Sequence, residues 1–194
     1  MGVSWVYQYA DPDKPGRYEQ QEMSVVEALV ERTGAKSVGI YALDAETFYP
    51  VAGPASNQTP LHVFHCSDYP ASTFAISGDS ADAAYVAADL VFFQLIKKLQ
   101  GAYTTKPISK VECRGKKYTL VDFAIRTSVA SIMGNFKALL IEIEYTPCLI
   151  PSLCADLMKE FCSGMLGKIA ASPPAYIVGM RNNHVFDGRP AVER

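Results

Sequence analysis

Residues 108–145 read ISKVECRGKKYTLVDFAIRTSVASIMGNFKALLIEIEY, and their alternation decides the fold class. From Ile108 to Arg114, Val111 and Cys113 fall on one side, and Lys110, Glu112 and Arg114 on the other. Gly115-Lys116 can turn the chain. Val121, Phe123 and Ile125 then form an apolar side opposite Asp122 and Arg126. Gly134-Asn135 permits a second turn, after which Leu139, Ile141, Ile143 and Tyr145 oppose Glu142 and Glu144. A period of two over successive segments marks antiparallel strands with one wet face.

Upstream, Val3 to Tyr9, Lys36 to Leu43, Leu61 to Cys66 and Ser72 to Ser77 read as further strands. Glu19 to Arg32 places Met23, Val26, Leu29 and Val30 on one helical stripe, with Gly34 just past its end. The strongest helical pattern is Asp82 to Gln100, where Tyr85, Ala88, Phe92, Leu95 and Leu99 recur at spacings of three and four. Ser80 is its expected N-cap, and Lys97 and Lys98 occupy its last turn. After Pro147 and Pro151, Ser152 to Leu166 predicts a third helix with Leu153, Leu157, Phe161 and Met165 aligned. Asp11 to Gly16 reads as a turn, Pro50 to Pro60 as a loop, and the chain from about residue 180 as a polar tail. The expectation is one α+β domain over residues 1–194, with about seven or eight antiparallel strands and about three helices.

The chain has 194 residues, 49% of them hydrophobic, and a net charge of −2. That composition belongs to a chain able to bury a core and argues against disorder. It lacks the basic surplus that bulk nucleic-acid or anionic-membrane binding requires. The longest uncharged run, Thr47 to Ser67, is interrupted by Pro50, Pro54 and Pro60, so no membrane helix is expected. The start, MGVSWVYQYADPDK, lacks the basic and apolar regions of a secretory signal, and Val6 stands where a myristoylation signal would have Ser or Thr. Asn57-Gln58-Thr59 is a chance sequon in such a chain. Five cysteines without a Cys-x-x-Cys pair point to reduced thiols in an intracellular protein.

Glu142-Ile143-Glu144 puts two carboxylates on one side of a strand, about 7 Å apart. Such a pair can hold a divalent cation against phosphate oxygens. It can also be an ordinary charged sheet face, with Lys110, Arg114 and Arg126 across the sheet. His62 and His65 are separated by an odd number in a strand and cannot share a metal without a bulge. His65-Cys66 likewise face apart, with no third orienting group. Lys110, Arg114, Lys116 and Lys117 surround the expected hairpin turn at Gly115, and such a cluster can touch nucleic acid or an acidic partner. With only Tyr118 as an adjacent aromatic and no net basicity, it reads as a solvated turn. The sequence contains no Walker A loop, dinucleotide fingerprint, Gly-x-Ser-x-Gly elbow or zincin motif. On its residues alone the chain reads as a binding or structural module without catalytic, cofactor or metal residues.

Several segments resemble the family of subunit 20 of Mediator, the coactivator assembly of RNA polymerase II. They are Met1-Gly2-Val3; His65-Cys66-Ser67-Asp68-Tyr69-Pro70 with Phe74-Ala75; Glu112-Cys113-Arg114-Gly115-Lys116-Lys117-Tyr118; and Glu142-Ile143-Glu144-Tyr145-Thr146-Pro147-Cys148. Glu160-Phe161 and Leu166-Gly167 follow, and the resemblance extends to about Arg181. It implies an antiparallel β-barrel flanked by helices, in the Mediator head module, paired with the related barrel of subunit 18 and tethered through subunit 8. It also implies a nuclear protein with no catalytic activity, reaching the polymerase machinery indirectly. Family members continue into a further C-terminal helix, whereas this sequence ends at Arg194 after its polar tail, so contacts through that helix are left out of the expectation. The family barrel is similar to the tunnel fold of metal-dependent RNA triphosphatases, whose motif is Glu-x-Glu-x-Lys. Here Thr146 stands in the Lys position and there is no second Glu-x-Glu pair. A tunnel enzyme requires Glu142, Glu144, Arg114 and Arg126 to face a wet lumen. A binding module requires Val121, Phe123, Ile125, Ile141 and Ile143 to face a filled core. The expected partner surface uses aromatics and prolines at strand ends and turns: Tyr69, Pro70, Tyr145 and Pro147.

Overall fold

A computed structural model describes residues 2–9, 22–51, 59–78, 83–99, 101–170 and 174. The strands are β1 (Val3–Tyr9), β2 (Lys36–Pro50), β3 (Leu61–Cys66), β4 (Ser72–Ser77), β5 (Ala84–Asp89), β6 (Tyr103–Leu120), β7 (Phe123–Ile132) and β8 (Asn135–Tyr145). The helices are α1 (Met23–Arg32), α2 (Leu90–Lys98) and α3 (Pro151–Leu166). The strands form one sheet in the order β1-β8-β7-β6-β2-β3-β4-β5. Pairings β1–β8, β2–β3, β3–β4 and β4–β5 are antiparallel. Among the described residues the sheet is open at β1 and β5, so the eight strands and three helices are present but closure into a barrel is not. No described helix is long and apolar enough to cross a membrane. The Asp11–Gly16 turn, Ser80, most of the Pro50–Pro60 loop and the polar tail lie outside the described residues.

Contacts divide the chain into two units. In the first, β1, β7 and β8 turn Trp5, Tyr7, Ile125, Ile141 and Ile143 to one side, where Val26 and Val30 of α1 and Met158 of α3 join them. The register Trp5↔Ile143 and Tyr7↔Ile141 keeps these side chains on one face, as a period of two demands. Helix α1 closes on Gly34 at φ +86°, a left-handed position that suits glycine. In the second unit, β3 and β4 place Leu61, Val63 and Ala75 beside Phe48 of β2 and Ile96 of α2, with Phe92 and Phe93 against them.

Four expectations need correction. Residues 84–89, read as part of a helix, are strand β5, paired residue by residue with β4 from Ser77↔Ala84 to Ser72↔Asp89. The helix starts only at Leu90, where Asp89 Oδ1 accepts the Val91 N–H at 3.0 Å, so Asp89 is the cap. Strand β6 runs straight through Gly115-Lys116. The turn falls at Val121-Asp122, so the basic cluster lies along a strand and Val121 is 90% exposed instead of core. Gly115 serves a close approach: a Cβ there would stand 1.8 Å from the Thr127 carbonyl oxygen. Finally, the buried stripe of α3 is Cys154, Met158, Cys162 and Met165, which leaves Leu153 and Leu157 outside.

Candidate functional site

Glu142 and Glu144 emerge from β8 on the side opposite Ile141 and Ile143, as the alternation requires, and Arg126 of β7 reaches both. Its Nη1 donates to Glu142 Oε1 at 3.0 Å and its Nη2 to Glu144 Oε2 at 2.7 Å. The Gly2 backbone N–H donates to Glu144 Oε1 at 2.6 Å, and the Tyr41 hydroxyl to Glu142 Oε2 at 3.4 Å. The guanidinium also lies 5.7 Å from the Tyr41 ring centroid. Gly2 reaches Glu144 because it carries no side chain: a Cβ there would sit 2.0 Å from the Tyr145 carbonyl oxygen. Arg126 and Glu144 are 7% and 8% exposed, so the charges are drier than the wet sheet face the sequence implies.

All four carboxylate oxygens therefore have donors from the chain itself. A cation would have to displace a buried guanidinium, so these residues do not fit a phosphate-bridging metal. The described residues hold no group of three or more His, Cys, Asp or Glu placed to bind one. Arg114 is exposed on β6. Of the set expected to face a core, Ile125, Ile141 and Ile143 are fully buried, Phe123 is half-buried and Val121 is outside.

The other candidates have structural partners. Thr47 Oγ1 and His62 Nδ1 are 3.0 Å apart, and His65 Nδ1 donates to the Ser72 carbonyl at 3.2 Å. Lys110 bonds Glu112, and Lys116 meets Glu27 at 2.8 Å; each carboxylate holds its lysine above the usual ammonium range. The His65–Pro70 segment builds the β3–β4 turn. Ser67 N–H donates to the Ala42 carbonyl at 2.8 Å, Tyr69 N–H to Cys66 at 3.0 Å and Ser72 N–H to Tyr69 at 3.0 Å. All five cysteines are free thiols. Burial pushes Cys162 up to about 11, and burial with a hydrogen bond to Cys148 does the same for Cys154. Neither is a ready nucleophile.

Exposed apolar residues remain. Thr146 N–H and Oγ1 both donate to the Asp122 carbonyl, at 3.0 and 2.9 Å, and so tie the end of β8 to the β6–β7 turn. That turn holds Val121 at φ +50°, a conformation β-branched residues avoid. Tyr145 is half-buried on Phe123 at 5.1 Å, and Phe123 in turn stacks on Phe161 of α3 at 3.8 Å. Pro147 is exposed, and Leu149, Leu153 and Leu157 continue outward at intervals of four, Leu153 being 75% exposed. In the second unit Tyr69 and Pro70 are exposed at the β3–β4 turn, with Tyr69 edge-on to Phe74 at 5.7 Å. The sequence pattern aligned Leu153 and Leu157 with Phe161 and Met165, of which Met165 is buried and Phe161 half-buried. Its reading of Cys154 and Cys162 as core residues agrees with their burial. The signal for the surface was that α3 is apolar on two neighbouring stripes, one more than a single core needs.

The profile of a family described as TATA-binding related factor (TRF) of subunit 20 of Mediator complex matches residues 1–185. The chain is 32% identical over 191 residues to Mediator of RNA polymerase II transcription subunit 20 of Aedes aegypti, covering 95% of this chain and 84% of that one. It is 30% identical over 190 residues to the human protein of the same name, covering 96% and 87%. A solved protein of Pyrococcus horikoshii OT3 has a similar fold at TM-score 0.55 and 13% identity, covering 92% of this chain and 98% of that one. The chain belongs to the Mediator subunit 20 family, whose members are non-enzymatic transcription coregulator subunits.

Proposed function

We propose that the chain is a nuclear binding module of the Mediator head that pairs with the barrel of subunit 18 and, with subunit 8, forms a head subcomplex. The observation that carries this reading is the outward stripe Leu149, Leu153 and Leu157, continuous in sequence with Tyr145 and Pro147. Exposed leucines in such a row form an apolar strip suited to a groove or a second helix. Val121 belongs to the same reading: it is an exposed, strained apolar residue clamped in place by Thr146. Tyr69 and Pro70 are proposed as contacts of the second unit. The ion cluster of Arg126, Glu142 and Glu144 is structural support, fixing β1 against β8 through Gly2. It gives no support to phosphate-ester hydrolysis.

The test is affinity purification of the tagged full chain from nuclei, with quantitative mass spectrometry. Subunits 18 and 8 should co-purify in near-equal amounts, and a Leu153→Asp, Leu157→Asp chain should lose at least one of them. Recovery of the wild-type chain free of head subunits overturns the proposal. A Tyr145→Ala chain that binds subunit 18 as well as wild type removes Tyr145 from the surface.

A further inference from the structure

Strand β5 ends the sheet order and pairs with β4. Among the described residues no strand runs along its other edge, so alternate residues direct a backbone N–H and C=O outward. Edge strands in soluble proteins are ordinarily guarded by lysine, proline, a bulge or a covering segment. The β5 sequence, Ala-Tyr-Val-Ala-Ala-Asp, has neither lysine nor proline, and its first five residues are uncharged. Tyr85 is 69% exposed, and its neighbour Val86, on the opposite face of the strand, is exposed as well.

Helix α2 follows at once, started by the Asp89 cap, and lies against β4 and β5. It commits Phe92, Phe93 and Ile96 to the core of this unit. A separate stripe of Val91 and Leu95, continued by Leu99 at the C-cap, is exposed. Among the described residues, a strand edge whose first five residues are uncharged thus lies beside an exposed apolar helix stripe in one compact unit.

We propose that β5 accepts an extended strand from another subunit of the assembly, apolar at alternate positions. That strand would pair with the outward row of β5 and lay side chains against Tyr85, Val86 and the Val91–Leu95 stripe. The hydrogen-bonding row selects the occupant: only another strand supplies matching donors and acceptors, whereas a helix laid there would bury the row unpaired. The inference rests on the reading that the chain works inside a multisubunit complex, and it adds a second attachment point of a different kind from the α3 stripe.

Hydrogen–deuterium exchange of the full chain, alone and within the assembly purified through it, tests the proposal. Amides of residues 84–89 should exchange at least roughly 100-fold more slowly in the assembly. Full-length Val86→Lys and Leu95→Asp chains, with unchanged melting temperatures, should be incorporated at least tenfold less well. Unchanged exchange at β5 within an intact assembly, or normal incorporation of both variants, overturns the proposal while leaving the Mediator reading in place. Protection of β5 in the isolated chain at the mass of a dimer overturns it in favour of a second copy. Failure to form any assembly defeats the Mediator reading, and this inference with it.

Discussion

Strands β8 and β5 belong to one sheet and are treated in opposite ways. β8 has neighbours on both edges, apolar residues under α1 and α3, and two carboxylates fully occupied by Arg126, Gly2 and Tyr41. Among the described residues β5 has one neighbouring strand, exposed residues on both faces and a following helix with an apolar stripe turned outward. The residues that look most chemical in the sequence are thus the most thoroughly satisfied. The unsatisfied ones are ordinary Leu, Val and Tyr side chains at an edge and on two helices. In a binding module function resides in what the fold leaves uncovered.

The contrast breaks most visibly at Arg126. Arg126→Met leaves two carboxylates without their cation in a largely buried site and should cost about 3–5 kcal/mol, read from urea unfolding. Adding Glu142→Gln and Glu144→Gln should recover much of that loss, since neutral amides do not repel each other. Next in size is the division within α3. Met158→Ala should cost about 2–5 kcal/mol, whereas Leu157→Ala one position away should stay within about 0.5 kcal/mol. Equal losses would show that α3 presents no free stripe. Leu153→Asp should leave the melting temperature unchanged yet weaken binding to subunit 18 by at least tenfold, about 1.4 kcal/mol, in titration calorimetry. Val121→Gly relieves a left-handed β-branched residue and should stabilise the isolated chain by about 1 kcal/mol while weakening partner binding.

A further effect, confined to alkaline solution, is a pH dependence. Cys154 and Cys162 are held protonated in the folded chain, with values near 11 against an ordinary 9.0. Between pH 9 and 11 the unfolded chain releases protons that the folded one keeps, so the stability these thiols contribute is complete below pH 9 and falls as pH rises toward 11. Alkylation at pH 8 should accordingly label half-exposed Cys66 before Cys162, with peptide mass spectrometry as the readout.

Much of this architecture is legible in the residues. β1, β3 and β4 are found at their expected bounds, and Val26 and Val30 of α1 are buried as their spacing requires. The misreadings share a physical origin. Residues 84–99 satisfy a helical spacing throughout, and only the pairing offered by β4, a partner distant from local propensity, converts the first six into a strand. In α3, Leu153 and Leu157 are as apolar as Met158 and Cys162, so the period fixes a helix but not which stripe is inward. The acidic pair and Arg126 on one face follow from alternation in β7 and β8. Gly2 and Tyr41 could not be foreseen, because they arrive through β1 pairing and a distant strand.

The most direct test of the central claim is coexpression of the full chain with subunit 18 of its own organism, followed by size-exclusion chromatography with mass determination. A stable one-to-one complex, lost on Leu153→Asp with Leu157→Asp, is the result this account predicts. A well-folded chain that elutes at its own mass beside an equally well-folded subunit 18 would contradict it.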